Sequence, residues 1–413
     1  MSAPILAAST IPSRRVILDN TAALIAAYVA PRVVTFTAAV VAARVLGATE
    51  FGLYTTAATI AVVASILASA GMQPLLIREI ARAPASAPRL VGAAHLARVF
   101  MVLLMATVLA FTPLLGYPAN VTIGAGLLGL GYLVGAFVDN LSAYFQGIER
   151  MYVWTQASAL LGLVTGVLGI VAVMATGSLV WLCAAPVAGQ LAALGWLLHR
   201  APAAVRWPVF PRGKVVVALL RRLAPFAAAF IATTIYYRSD ILILSRMVPA
   251  SDVGLYGAAG RFLDVSQALA LAGAGALLPH FARSRAASGS GSLRALGLVA
   301  VLAIPPSVLL FVLREPIVLA LYGSDYLASV PIVALVAPAI VGRTVNMFAL
   351  AAFAGADLIH AAGAFYFAAA GLSIALNLVA IPAFGSVGAA GVAFLTETML
   401  AIALTFVLWR RRG

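Results

Sequence analysis

The sequence predicts an all-α integral membrane protein of about 12 transmembrane helices. Of its 413 residues, 64% are hydrophobic and only 9% charged, against roughly 25% charged in soluble domains. Its apolar residues fall in runs of about 20, the number that crosses a ~30 Å hydrocarbon core at ~1.5 Å per residue. Those runs recur between short polar turns, without the period-two alternation of a membrane barrel. Glycine, with 35 residues, suits close helix packing where lipid gives helices no hydrophobic drive to associate.

Taken in order, residues 1–15 carry Arg14 and Arg15 but no apolar core ahead of a small-residue cleavage site. The first span therefore reads as an uncleaved anchor. Apolar runs place spans near 16–43, 52–77, 90–115, 121–145, 155–176 and 179–198. The linker 199–216 follows, with Pro202, Pro208, Pro211 and Gly213 among its cations. Six more spans fall near 217–246, 253–279, 293–313, 329–353, 363–382 and 387–409, before a tail at 410–413. Two six-helix lobes, 16–198 and 217–409, are expected on either side of the linker.

The net charge of +14 would suggest nucleic acid in a soluble protein, but its placement assigns it to topology. Arg14, Arg15, Arg78, Arg82, Arg89, Arg150, the cations from Arg200 to Arg222, Arg283, Arg285, Arg294 and Arg410 to Arg412 fall on one side. The other side receives Arg44, Arg246 and Arg314. Cytoplasmic turns retain Lys and Arg, so both termini are expected in the cytoplasm, which requires an even number of spans. No nucleic-acid partner is expected; the basic turns are topology signals, with contact to anionic membrane lipid a second use. Cys183 stands alone, and His199, His280 and His360 lack ligand spacing, so no disulfide, metal or cofactor is expected. A nucleotide-binding glycine loop with its lysine is also missing.

The halves repeat. RVLGATEFGLYTTA from Arg44 aligns with RMVPASDVGLYGAA from Arg246, an offset of 202 with six of fourteen positions identical. Phe145 and Gly147 match Phe353 and Gly355, and Gly177-Ser178 matches Gly385-Ser386, at an offset of 208. Equivalent points lie six spans apart, so the copies share an orientation and their axis runs along the membrane normal. In the repeated turn, Thr49 and Ser251 are expected as helix caps, and Gly52 and Gly254 as sites of close packing.

These residues carry a resemblance. RVLGATEFGLYTTAATIAVVASILASAGMQPLLIREIAR, FQGIERM, YYRSDILILSRMVPASDVGLYGAAGRFLD and LNLVAIPAFGSVGAAGVA together resemble the polysaccharide transporter branch of the multidrug/oligosaccharidyl-lipid/polysaccharide (MOP) exporter superfamily, the O-antigen and exopolysaccharide flippases. The resemblance implies a V-shaped, two-lobed carrier in a bacterial cytoplasmic (inner) membrane. It would move a lipid-linked oligosaccharide on an undecaprenyl diphosphate carrier from the inner to the outer leaflet, for the machinery that polymerises surface polysaccharide. Lipid II flippases of the superfamily usually have fourteen spans, for which this chain has little room.

Arginines within the spans are costly, at ~2.5–3.5 kcal/mol each on insertion scales, and so require water or partners. Helical spacing puts Tyr28, Arg32 and Thr35 on one stripe beside Pro31. Arg32 is the first candidate for a phosphate contact, with Tyr28 beside it. Arg98 with His95, Arg261 with Asp264, and Arg343 with Asn346 each share a face. Arg98 is expected toward the cytoplasm, Arg32 and Arg343 near mid-membrane, and Arg238 and Arg261 toward the outside, so that successive cations follow a diphosphate through its passage. In a second reading these cations are structural, paired with Asp139, Asp240, Asp264 and Glu397. Arg238 and Asp240, two residues apart, are expected on different faces.

A coupling ion, proton or sodium, needs a buried carboxylate; Asp139, Asp264, Asp240 and Glu397 are the candidates. Thr233 and Asn377 are further candidates for a sodium site with Asp240. Two other functions compete with the flippase. A cation-coupled multidrug exporter of the MATE type would favour an acidic, aromatic cleft. A membrane-embedded glycosyltransferase or polymerase would need a large extramembrane loop with catalytic acids, and no turn is long enough. The chain is therefore expected not to be an enzyme.

Overall fold

The computed structural model describes residues 14–206, 211, 213–283, 290–355 and 358–410, and their side chains except at 14–30, 225, 271–283, 290–292, 354–355 and 359. Most of the expected N-terminal segment 1–15 and tail 410–413 lies outside these residues. The helices in chain order are α1 (Arg14–Ser69), α2 (Met72–Arg82), α3 (Ala87–Ala110), α4 (Ala119–Gly147), α5 (Met151–Thr176), α6 (Leu179–Arg200) and α7 (Ala203–Arg206). They continue as α8 (Gly213–Met247), α9 (Ala250–Arg283), α10 (Ser290–Val312), α11 (Arg314–Tyr322), α12 (Val330–Gly355) and α13 (Ile359–Arg410). No strand occurs among the described residues, and nine helices there are long and apolar enough to cross a membrane.

Two elements each hold two spans. α1 has 56 residues and α13 has 52, and at ~1.5 Å per residue a straight helix of either length would exceed twice the bilayer core. Each breaks at a glycine with positive φ: Gly47 (φ 72°, ψ 172°) and Gly385 (φ 58°, ψ −139°). A side chain is strained in that region, and glycine is not. At the position equivalent to Gly47, the second half uses Pro249, between α8 and α9. Thus the repeated turns reverse the chain by two different devices. The predicted spans follow these helices, with three departures. The second span stops at Ala70 (φ 39°) and Gly71 (φ 72°) and resumes as α2. α8 starts at Gly213 and takes up part of the expected linker. Between the ninth and tenth spans lie α11 and a 3-10 turn, Ser324–Ser329, an insertion too short for periodicity to reveal.

The two halves meet along α1, α8 and α9. At the repeated turns, a β-carbon on Gly52 would strike the Ala250 carbonyl oxygen, and one on Gly254 would strike that of Ala48. Each glycine thus makes room for the other repeat's turn, which bears out the close packing expected of both; Thr49 and Ser251 form no side-chain cap bond there. Around this seam Phe51, Val253, Tyr256, Val336 and Tyr326 join one buried apolar core drawn from both halves. Arginines reinforce it reciprocally. Arg44 Nε donates to the Leu321 carbonyl at 2.5 Å and its Nη2 to Ala320, while Arg246 Nη2 donates to the Leu115 carbonyl at 2.5 Å. Tyr326 Oη adds a bond to the Ala43 carbonyl at 2.9 Å.

At the other end of the molecule a second contact joins the halves. Glu79 on α2 accepts from Arg222 on α8 at 2.7 Å and from Arg78 at 3.2 Å. Phe226 packs against Gly71, under the Arg78 guanidinium. Large apolar side chains remain open on the perimeter, among them Leu114 (80%), Val379 (73%), Phe100 and Phe384 (70% each). A surface of this kind calls for lipid rather than water.

Candidate functional site

Below the seam lies a cavity of about 470 Å³, walled by both halves. Pro31 and Arg32 precede Gly47 by about as many residues as Val62 follows it, and all three line the cavity. That placement requires the two arms of α1 to fold back side by side. α5 can approach because Gly162 leaves room for Pro31. Along the second arm the threonines satisfy themselves: Thr55 donates to the Phe51 carbonyl and Thr59 to that of Thr55, each at 2.8 Å. Such back-bonding lets hydroxyls sit on a buried helix at small cost.

Four arginines line the cavity, Arg32, Arg238, Arg261 and Arg343, with two carboxylates, Asp240 and Asp264. With all groups ionised the lining carries 4 − 2 = +2. Their surroundings differ. Arg32 is exposed to the cavity and makes no ion pair among the described residues. Asp264 is shared: its Oδ1 accepts from Arg238 Nη2 at 3.3 Å, and its Oδ2 lies 3.5 Å from Arg261 Nη1. One negative charge therefore holds two guanidinium groups, and Arg261 Nε has no hydrogen-bond partner. Asp240 accepts from the Ile241 amide at 2.7 Å and from the Tyr256 hydroxyl. Arg238 and Asp240 both line the cavity, contrary to the expectation that they face apart, because the long Arg238 side chain reaches Asp264 on α9.

Arg343 sits on the wall but is largely committed. Its Nε donates to Glu397 Oε1 at 2.6 Å, and its guanidinium lies 4.3 Å from the centre of the Tyr237 ring. Glu397, only 1% exposed, also accepts from Asn346 Nδ2 at 2.7 Å. Buried charge demands this degree of compensation. Glu397 stands behind the wall rather than in it.

Arg98 and Asp139 lie elsewhere. Arg98 is fully buried and donates from Nη1 to the Ala68 carbonyl and from Nε to Asn140 Oδ1 at 3.2 Å; its Nη2 is 3.7 Å from Asp139 Oδ2. The break at Ala70–Gly71 leaves helical carbonyls without intrahelical donors, and a cation at a helix C-terminus answers both their bonding and the dipole. Arg98 therefore serves the break and forms no part of the cavity. His95 joins the same network through Asn140 Nδ2, 3.2 Å from its Nδ1. The Tyr28 side chain lies outside the described residues. Thr233 donates to the Ala229 carbonyl and Asn377 to Ser373, so neither is engaged with Asp240. Among the described residues, no group of three or more His, Cys, Asp or Glu could hold a metal.

Several cavity residues were not proposed as site residues from sequence: Tyr54, Tyr132, Trp154, Tyr237, Tyr256 and Gln190. The aromatics read as core along an apolar helix. Gln190 carried a signal, as an amide well inside a span. Its Oε1, with Thr165 Oγ1 and Arg261 Nε, is a buried polar atom lacking a protein partner; all three residues line the cavity, where water or a polar ligand can satisfy them.

A family model described as "Polysaccharide biosynthesis protein" matches residues 17–285. The succinoglycan biosynthesis transport protein ExoT of Rhizobium meliloti (strain 1021) is 28% identical over 307 residues, 71% of this chain and 60% of that protein. The match therefore spans less than two thirds of that relative's length. Among solved structures, the lipid II flippase MurJ in an inward closed conformation superposes with a TM-score of 0.75 at 14% identity, covering 94% of this chain and 87% of that one. An inward-facing multidrug resistance MATE family transporter of the MOP superfamily gives 0.73 at 12% identity, covering 92% and 94%. At these identities the likeness establishes the shared fold.

Proposed function

The chain belongs to the polysaccharide biosynthesis protein family, and from that premise we propose that it is a flippase for a lipid-linked oligosaccharide, of the undecaprenyl diphosphate type. It is a multi-pass membrane protein; we place it in a bacterial cytoplasmic membrane with both termini inside, by its charge distribution. The observation that carries the reading is the cavity between the halves, with an excess of arginine over carboxylate and with Arg32 making no ion pair among the described residues. A diphosphate needs such a site, since guanidinium binds phosphate oxygens bidentately and keeps its charge when partly dehydrated.

The halves 16–198 and 217–409 act as the two rocking lobes. Arg32 takes the phosphate first. Arg238 and Arg261 follow once the headgroup competes with Asp264 for them, and Arg343 contributes through the face not held by Glu397. Asp264 is the restraining carboxylate: it holds Arg238 and Arg261 until the anion competes for them, and it reclaims them once the anion has left. The hydrocarbon tail stays in the bilayer during passage, and the delivered glycolipid is used by polysaccharide polymerase machinery. Nothing in this cycle makes or breaks a covalent bond in the substrate, so the protein is not an enzyme on this reading.

The second reading, a cation-coupled exporter of the MATE type, is favoured by Asp240 and Asp264 among aromatic walls. One experiment separates the two. Proteoliposomes holding the full chain are loaded with fluorescent lipid-linked oligosaccharide on one leaflet, and headgroup access is followed from the other. Glycolipid crossing that depends on Arg32 supports the flippase. Efflux of ethidium without glycolipid crossing rejects it.

A further inference from the structure

Beside the polar cavity lies a second, larger recess of about 860 Å³, an apolar groove between α3 and the second arm of α1 on one side and α8 and α13 on the other. It shares no lining residue with the cavity. The second arm of α1 separates them, presenting Thr55, Thr59 and Val62 to the cavity and Ile60, Val63 and Leu67, on a different face, to the groove. The groove is therefore separate from the cavity. Its lining holds one charged residue, Arg246, at the rim beside Tyr117.

Arg246 is also half of the reciprocal latch across the seam. Its Nη2 donates to the Leu115 carbonyl at 2.5 Å, and its guanidinium lies 3.8 Å from the centre of the Tyr117 ring. Arg44, its repeat equivalent, makes the matching bonds to Ala320 and Leu321 but does not line the groove. Both arginines thus bind backbone carbonyls, but of the two only Arg246 lines the groove. A carbonyl is a neutral acceptor; a phosphate oxygen offers the same guanidinium a charge-assisted and stronger bond.

We propose that the groove is a binding site for an anionic phospholipid of the bilayer, whose chains occupy the apolar walls and whose phosphate draws Arg246 away from Leu115, releasing one side of the seam. The Arg/Tyr rim matches a headgroup level at the membrane interface, on the side that the charge distribution puts outside. Arg44 holds its own carbonyls throughout, so the lipid biases the seam without dissolving it. This site operates whether the cavity carries a glycolipid or a drug cation.

The test uses the full chain in nanodiscs, in a Cys183→Ala background, with spin labels at Thr49→Cys and Ser251→Cys across the seam. Phosphatidylglycerol is raised stepwise in phosphatidylcholine, and the distance distribution is read. The open population should rise roughly fivefold or more, the lower end of ordinary allosteric coupling. Val108→Trp or Leu378→Trp, at exposed groove positions, should abolish the response with the latch intact. Arg44→Gln should raise the starting open population and keep the response. The proposal fails if phosphatidylglycerol leaves the parent unchanged, or if both groove-filling variants respond as the parent does. It fails equally if water-soluble glycerol phosphate alone opens the seam, since the groove would then play no part.

Discussion

Gly52 and Gly254 stand in each other's clearance: a β-carbon on Gly52 would lie 2.9 Å from the Gly254 amide nitrogen, and one on Gly254 would lie 3.1 Å from that of Gly52. The 202-residue repeat is thereby converted into a physical axis, because equivalent backbones touch each other where the halves cross. The close approach at this end requires two residues without side chains, flanked by Arg44 and Arg246.

Substituting either glycine by alanine should therefore pry the seam apart. Overpacking of this kind costs about 1–3 kcal/mol, and the neighbouring atoms are backbone carbonyls that cannot swing aside. Gly52→Ala and Gly254→Ala should each raise the open population in spin-label distance measurements, and the double variant should add little to either. A closed population equal to that of the parent would show that the contact does not govern closure.

Arg343 and Glu397 form a buried pair at 2.6 Å. Removing one partner strands the other, at a cost of about 3–5 kcal/mol, whereas removing both leaves no uncompensated charge. Arg343→Leu and Glu397→Leu should each lower thermal stability in detergent more than the double variant does. A strictly additive double-mutant cycle would contradict the pairing.

Arg32 and Arg98 should separate cleanly. Arg32→Gln removes an exposed cavity cation, so glycolipid transport should fall roughly tenfold, the loss of about one charge-assisted bond, with thermal stability unchanged. Arg98→Gln uncaps the break after Ala68 and should lower stability by about 1–3 kcal/mol, while the surviving folded protein transports normally. Measuring transport per folded molecule for both variants decides between these roles, and reversed results would exchange them.

Asp264 contacts two cavity arginines at once. Asp264→Asn should leave Arg238 and Arg261 free for an anion, so a soluble diphosphate should bind more tightly. Weaker diphosphate binding would mean that Asp264 positions those arginines rather than restraining them.

Sequence revealed much of this plan, and the physical reason differs from residue to residue. Arg32, Arg261 and Arg343 were legible as cavity candidates because a charge inside an apolar span is too costly to be incidental. Gly52 and Gly254 were legible through repetition. Arg98 carried the same cost signal, yet it answers a helix break at Ala70–Gly71 that no apolar pattern announces. Tyr256 was legible as a repeated residue, opposite Tyr54, but neither it nor Tyr237 was legible as cavity lining, since an aromatic on a buried helix face looks alike whether it meets core or cavity.

The amino-acid order by itself determined that the chain crosses a membrane repeatedly and that the turns after Arg44 and Arg246 repeat one another. Those properties follow from hydropathy and from local backbone freedom, which act over a few residues. Only the tertiary structure decided which charges share a chamber. Asp264 joins Arg238 and Arg261, Glu397 neutralises Arg343 from behind the wall, and Arg32 is left open, because electrostatic partnership depends on ångström distances between helices far apart in sequence.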